Sequence, residues 1–156
     1  MKNNKNIPQK LSMYKNIFDE NVRWGDTDGY NHVNNVSISR YFESARVNII
    51  RNLETEKYSF VIVNFNINYI GQIFYPSKII IGTYISRIGN KSITFDQALF
   101  VNNTCKASAK SILAYADIKE SKSYKISKSI ILKLNKIYGA NDETWTRDPR
   151  YHKPVL

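Results

Sequence analysis

From Ser59 to Ile70 the chain reads SFVIVNFNINYI, with Val61, Val63, Phe65, Ile67 and Tyr69 on one face and Asn64, Asn66 and Asn68 on the other. That period of two belongs to a half-buried strand. Upstream the period changes. From about Asn35, the apolar residues Ile38, Tyr41, Phe42, Ala45, Ile49 and Leu53 recur at helical spacing, while Arg40, Glu43, Asn48 and Arg51 fall largely on other faces. The pattern predicts one long helix with a face to bury, capped by Asn34 or Asn35. IFDENVRW (Ile17–Trp24) is a candidate first strand with imperfect alternation. SKIIIGTYISRI and KSITFDQALFV follow as strands joined by Gly89-Asn90, a tight-hairpin dipeptide, and Asn102-Asn103-Thr104 turns the chain into CKASAKSILAYADI. A short terminal helix is predicted from Ser127.

One helix followed by four strands in succession implies an α+β architecture, with the helix packed on a mostly antiparallel sheet. Residues 17–138 form the expected domain, flanked by a flexible, lysine- and asparagine-rich arm (1–16) and an irregular extension (139–156). At 156 residues, with 42% hydrophobic and 13% aromatic, the chain suffices for one domain with a real core. No apolar run is long enough to cross a bilayer, and the start MKNNKNIPQK lacks the apolar region of a secretory signal, so a cytoplasmic protein is expected.

The net charge of +10 favours anionic partners without choosing among them. Lysines recur at Lys119, Lys122, Lys125, Lys128, Lys133 and Lys136, a distribution that also suits plain solvation. The motifs of RNA-recognition, KH and zinc-finger domains are absent, so nucleic acid is not the expected partner. Other chemistry is missing for want of parts: there is no G-x-S-x-G elbow, no phosphate loop and no dinucleotide fingerprint. His32 and His152 are the only histidines and Cys105 the only cysteine, so no metal site is expected. Cys105 reads as a small packed hydrophobe rather than a nucleophile.

The remaining polar cluster is RWGDTDGYNHVNNVSISRYFESAR, Arg23 to Arg46. Asp28, between a strand end and a helix N-terminus, can activate a water, and backbone N–H groups nearby can stabilise an oxyanion. Asp28-Gly29 by itself is equally the signature of a turn aspartate bonding local amides. Asp26 reads as structural, bonding Arg23 or the loop. His32 orients substrate or tunes Asp28, or simply bonds locally. Glu43 is a possible second acid, with a surface pair to Arg40 or Arg46 as the competing reading, and Tyr41 and Phe42 belong to the core.

The segments RWGDTD, HVNN and RYFESAR, with the later strand succession and its R-I-G-x-x-S turn, resemble the hotdog-fold acyl-CoA thioesterases of the 4-hydroxybenzoyl-CoA thioesterase family over Ile17 to Tyr138. The family commonly has glycine before the histidine, where this chain has Asn31, the non-glycine residue most tolerant of positive φ. The resemblance implies a hotdog fold, one long helix wrapped by the sheet, and hydrolysis of an acyl-CoA to free acid and CoA. It implies Asp28 as general base or nucleophile, the backbone N–H of Asn35 as oxyanion donor, and Arg87, Lys91 and Ser92 near the pantetheine arm and nucleotide. Coenzyme A is then part of the substrate and no bound cofactor is needed. It also implies a homodimer or homotetramer sharing active sites across the seam. Rival readings are an acyl-carrier-protein thioesterase and a non-catalytic basic binding module; a hotdog dehydratase would need a catalytic histidine that the helix does not supply.

Overall fold

The period-two segments all become strands of one sheet, but their limits differ from the simple pattern. A computed structural model describes Ile7, Thr55 and residues 10–53 and 57–139. The strands are β1 (Asn16–Asn21), β2 (Tyr58–Tyr69), β3 (Lys78–Ile88), β4 (Ser92–Val101), β5 (Thr104–Asp117) and the short β6 (Lys122–Ser123); the helices are α1 (Asn35–Ile50) and α2 (Lys128–Leu134). The sheet order is β1-β3-β4-β5-β2, with β6 on β5, and every pairing is antiparallel. The long helix against one face of this curled sheet is the expected hotdog arrangement.

α1 begins where the sequence places it, because the Asn34 side chain accepts from the Val36 amide at 2.8 Å and satisfies one of the open N-terminal donors. Ile38, Tyr41, Phe42 and Ala45 then pack with Ile79, Ile81, Leu99, Ala107 and Ala109 of the sheet. A second cluster joins Ile50 and Leu53 to Ile85, Ile93, Phe95, Leu113 and the apolar face of α2. Each large side chain buried this way contributes about 1.5–3 kcal/mol. Between β4 and β5, Asn102 and Asn103 take φ values of 48° and 61°, the left-handed pair that a two-residue hairpin demands.

Three local expectations are corrected. β1 stops at Asn21, and Trp24–Asp26 form a single 3₁₀ turn closed when the Asp26 carboxylate accepts from the Arg23 amide, which leaves Trp24 on the surface. In β2 the register shifts between Ile62 and Asn64, so Phe65 and Ile67 face the core while Val61, Ile62 and Val63 are exposed on an edge strand that, among the described residues, pairs only with β5. Finally, within the segment read as a loose arm, Tyr14 is buried on the outer sheet face against Tyr84 and Phe100, over Gly82. Past α2, Tyr138 bridges to Ile85 and its carbonyl accepts from Lys15 Nζ at 2.6 Å. Of the extension expected at 139–156, residues 140–156 lie outside the described residues.

Candidate active site at the N-terminus of the long helix

Residues 27–33 form a tight loop between β1 and α1, pinned by a bridge between Thr27 and Val33 and by the Asp28 amide donating to the His32 carbonyl at 2.8 Å. The turn requires a left-handed residue, and Asn31 supplies it with φ 63°. Inside this turn Asp28 Oδ1 accepts from the amides of Tyr30 at 2.8 Å and His32 at 3.2 Å. The turn reading of Asp28 is therefore correct for one oxygen. Its Oδ2 accepts no hydrogen bond among the described residues, and the residue is half-buried. A carboxylate with one oxygen anchored and the other open is oriented without being consumed.

Asp26 has the structural role expected of it. Its Oδ2 accepts from the Arg23 amide at 2.8 Å and from the Tyr41 hydroxyl at 2.6 Å, and its carbonyl accepts from the Asn34 amide. The loop is thus tied to α1 by both main chain and side chain. Burial, and after it the bond to Asp26, hold the Tyr41 hydroxyl well above the ordinary tyrosine range. The Arg23 guanidinium turns instead to Glu20 at 3.3 Å.

Asn35 is the first residue of α1, so its amide has no partner within the helix and sits at the positive end of the helix dipole. The Asn35 carbonyl accepts from Ser39 Oγ, and the Tyr69 hydroxyl at the end of β2 lies 3.5 Å from it. His32 does not bond Asp28 through its ring; the imidazole stands edge-on to Phe74 with centroids 5.0 Å apart, and only its amide reaches the carboxylate. Phe74 and its neighbours, which sequence reading passed over, form the second wall of the loop: Ile73 accepts from the Val33 amide and Tyr75 packs edge-to-face on Trp24. Their signal was only an aromatic pair before a proline.

The structure does not bring Arg87, Lys91 and Ser92 to this loop within one chain. β1 delivers the loop at the Lys78 end of β3, whereas the hairpin lies at the Ile88 end, about 30 Å away at strand rise. There Lys91 Nζ bonds the Ser123 carbonyl and the Ser92 carbonyl accepts from the Gly89 amide. Glu43 is exposed and forms no ion pair with Arg40 or Arg46 among the described residues, because Arg46 points into the core. Cys105 is buried against the outer-face cluster, where burial raises its thiol above the ordinary range. Among the described residues no three His, Cys, Asp or Glu side chains come together as a metal site, and no helix is long and apolar enough to cross a membrane.

Residues 22–134 match the model of the thioesterase-like superfamily. Among solved structures, the chain is similar to a predicted thioesterase from Bacillus stearothermophilus, at 25% identity and TM-score 0.73, covering 79% of this chain and 96% of that one. A protein from Pseudomonas aeruginosa superposes with TM-score 0.75 at 22% identity, covering 83% and 96%. A thioesterase from Thermus thermophilus, solved in complex with coenzyme A and Zn, superposes with TM-score 0.73 at 17% identity, covering 81% and 96%. No curated protein matches significantly.

Proposed function

The chain belongs to the thioesterase-like superfamily, and from that premise we propose that it hydrolyses an acyl-CoA thioester to the free carboxylic acid and CoA. Asp28 is the base: its open Oδ2 takes the proton of a water as the water oxygen attacks the thioester carbonyl. The Asn35 amide donates to the oxyanion that forms, in a region already favourable to negative charge. Collapse of the adduct breaks the C–S bond, and the proton held by Asp28 returns to the departing thiolate. Direct attack by Oδ2, with an anhydride then hydrolysed, uses the same atoms and is the alternative role of Asp28. The single observation behind the assignment is the division of labour in the Asp28 carboxylate, Oδ1 bound by two amides and Oδ2 unengaged among the described residues. His32 fixes the carboxylate through its amide and lines the loop with its ring.

The motif from Arg23 to Arg46 favours the 4-hydroxybenzoyl-CoA thioesterase branch of the superfamily. The net charge of +10 suits the phosphates of CoA, and a similar fold in the Thermus thioesterase holds coenzyme A. We further propose a homodimer formed along β2, whose exposed Val61, Ile62 and Val63 and outer edge, unpaired among the described residues, ask for a partner. Antiparallel pairing there turns the Arg87–Ser92 hairpin of one chain toward the helix N-terminus of the other, which gives those residues a route to the nucleotide. An acyl-carrier-protein thioesterase is the second reading, favoured by the same charge because such carriers present an acidic surface.

The test is Asp28→Asn, which keeps the acceptor for the Tyr30 and His32 amides and removes the base. Thiol release from acyl-CoA should fall by roughly 10²–10⁴ in kcat with a much smaller change in KM. Asp26→Asn is the comparison, with its loss mainly in stability. A folded Asp28→Asn protein that turns over within a few-fold of the parent refutes the mechanism and moves Glu43, or the non-catalytic binding module, to the front.

A further inference from the structure

α2 buries one face and leaves the other to solvent. Ile130, Ile131 and Leu134 pack into the cluster that holds Ile50, Ile93 and Leu113. At about 100° per residue Leu132 points away from all three. It is 69% exposed. Lys128 stands four residues before it, and Lys136, in the 3₁₀ turn Asn135–Ile137 that prolongs the helix, four residues after. The outer face therefore reads lysine, leucine, lysine. Lys133 flanks it, and Lys125 precedes the Ser127 cap. All four lysines are exposed, and none forms an ion pair among the described residues.

The chain supplies little negative charge to balance them. Between Ile118 and Gly139 the only acid is Glu120, which accepts from the Tyr124 hydroxyl at 2.8 Å. Asp117, just before, is 2% exposed, and its carboxylate is taken by the amides of Lys119 and Glu120 and by Lys57. Nor does the remaining tail help: residues 140–156 match Asp142, Glu143 and Asp148 with Arg147, Arg150 and Lys153. An exposed leucine thus sits at the centre of an uncompensated cationic face.

An apolar centre inside a charged rim is the composition of a protein–protein interface, and the sign of the rim selects an acidic partner. A second copy of this chain would bring lysine against lysine. A bilayer surface needs an apolar helix face to insert, and that of α2 is already committed to the core. A phosphate backbone would use the lysines and find nothing in Leu132. The position of the face narrows the partner further. The Ile126 amide donates to the Asn90 carbonyl at 2.9 Å, and Lys91 Nζ bonds the Ser123 carbonyl, so the approach to α2 abuts the Arg87–Ser92 hairpin. In the β2 dimer proposed above, that hairpin turns toward the helix N-terminus of the other chain.

We infer that the Lys128–Leu132–Lys136 face docks an acidic acyl carrier protein, holding it where its pantetheine-linked thioester reaches Asp28 of the other chain. The inference rests on the thioesterase reading and the β2 dimer, and it gives the acyl-carrier substrate a defined place on the surface.

Binding and turnover are read separately, with the full chain. Holo acyl carrier protein ends in a free thiol and has no thioester to cleave, so calorimetry gives its Kd independently of catalysis. Lys128→Glu with Lys136→Glu should weaken that binding at least tenfold, and Leu132→Ser several-fold. Added salt should weaken binding to the parent. In turnover, KM for octanoyl carrier protein should rise by a like factor with kcat held, while octanoyl-CoA hydrolysis stays within about twofold. Thermal unfolding checks each variant; if the charge reversal does not fold, Lys128→Gln with Lys136→Gln carries the comparison. No binding of holo carrier by the parent, equal Kd in parent and variants, or an equal loss with octanoyl-CoA overturns the docking face. So does binding of RNA or phosphatidylglycerol vesicles in place of the carrier. Failure to release thiol from both octanoyl thioesters overturns the thioesterase reading instead, and the Kd for holo carrier still decides the face.

Discussion

Placing a methyl group at Gly82 tests whether the N-terminal segment belongs to the folded structure. A Cβ there would lie 2.5 Å from Cδ2 and 2.7 Å from Cβ of Tyr14, and nearer still to Cγ. No real Cβ tolerates such an approach, so the ring must leave or the strand must shift. Tyr14 is 3% exposed, with ring centroids 5.6 Å from Tyr84 and 5.9 Å from Phe100. Removing it by Tyr14→Ala should cost about 3 kcal/mol. Gly82→Ala alone should cost about 2–3 kcal/mol, the range of overpacking, because displacing the ring loses most of the same contacts. In the Tyr14→Ala background the clash is gone, and alanine in a strand interior is then neutral or better than glycine by about 0.5–1 kcal/mol. The double variant should therefore unfold close to Tyr14→Ala, with a coupling of at least about 2 kcal/mol. Urea unfolding of the four proteins, with midpoints and slopes fitted together, reads this directly. Additivity within about 0.5 kcal/mol, or a Gly82→Ala protein as stable as the parent, would show that Tyr14 does not occupy the outer face of the sheet.

Tyr41→Phe removes a 2.6 Å bond to the Asp26 carboxylate and should lower stability by about 2 kcal/mol in thermal or urea unfolding, with a few-fold drop in turnover as the Asp28 loop loosens; parent-like behaviour in both would mean that main-chain bonds hold the loop alone. The Glu120 amide, the Lys119 amide and Lys57 hold the Asp117 carboxyl below its ordinary range, so its stabilisation is full above about pH 4 and is lost as pH falls through the lower folded value. Asp117→Asn should flatten that acid limb in unfolding curves taken from pH 2 to 5, and an unchanged limb would refute the assignment. Light scattering at micromolar concentration should report at least a dimer, and Val61→Lys with Val63→Lys should shift it toward monomer; an active monomeric parent would sink the β2 interface.

What was legible in the sequence was whatever a period could encode. The asparagine alternation of β2, the apolar positions of α1, Asn34 as its cap, and Asn102-Asn103 as a turn each state a local requirement that one residue type meets. The bulge at Val63 was not legible, because an inserted residue leaves the composition of both faces plausible and only the ladder to β5 reveals it. Tyr14 was missed for a related reason. Its partner is an absence of side chain at Gly82, and the pairing is non-local, so no window along the chain contains both. Arg46 looked like a surface charge because arginine usually is one, although it sits four residues after Phe42 on the buried stripe.

The site shows a different limit. Asp28-Gly29 predicts a turn aspartate, and the family motif predicts a catalytic one, and from the sequence these compete for the same carboxylate. They compete only if the group is treated as a single acceptor. A carboxylate has two oxygens, and here the turn takes Oδ1 through the Tyr30 and His32 amides while leaving Oδ2 unengaged among the described residues. The turn bonds also fix where that oxygen points. A base held by a loop alone would lose proton-transfer efficiency to its own motion; in the mechanism proposed above, the two amide bonds to Oδ1 restrict the side chain and leave the Oδ2 lone pair free to take the proton. Asparagine-rich neighbours serve the same geometry: Asn31 allows the reversal and Asn34 starts the helix, so in the proposed mechanism these structural residues are what aim the Asp28 carboxylate.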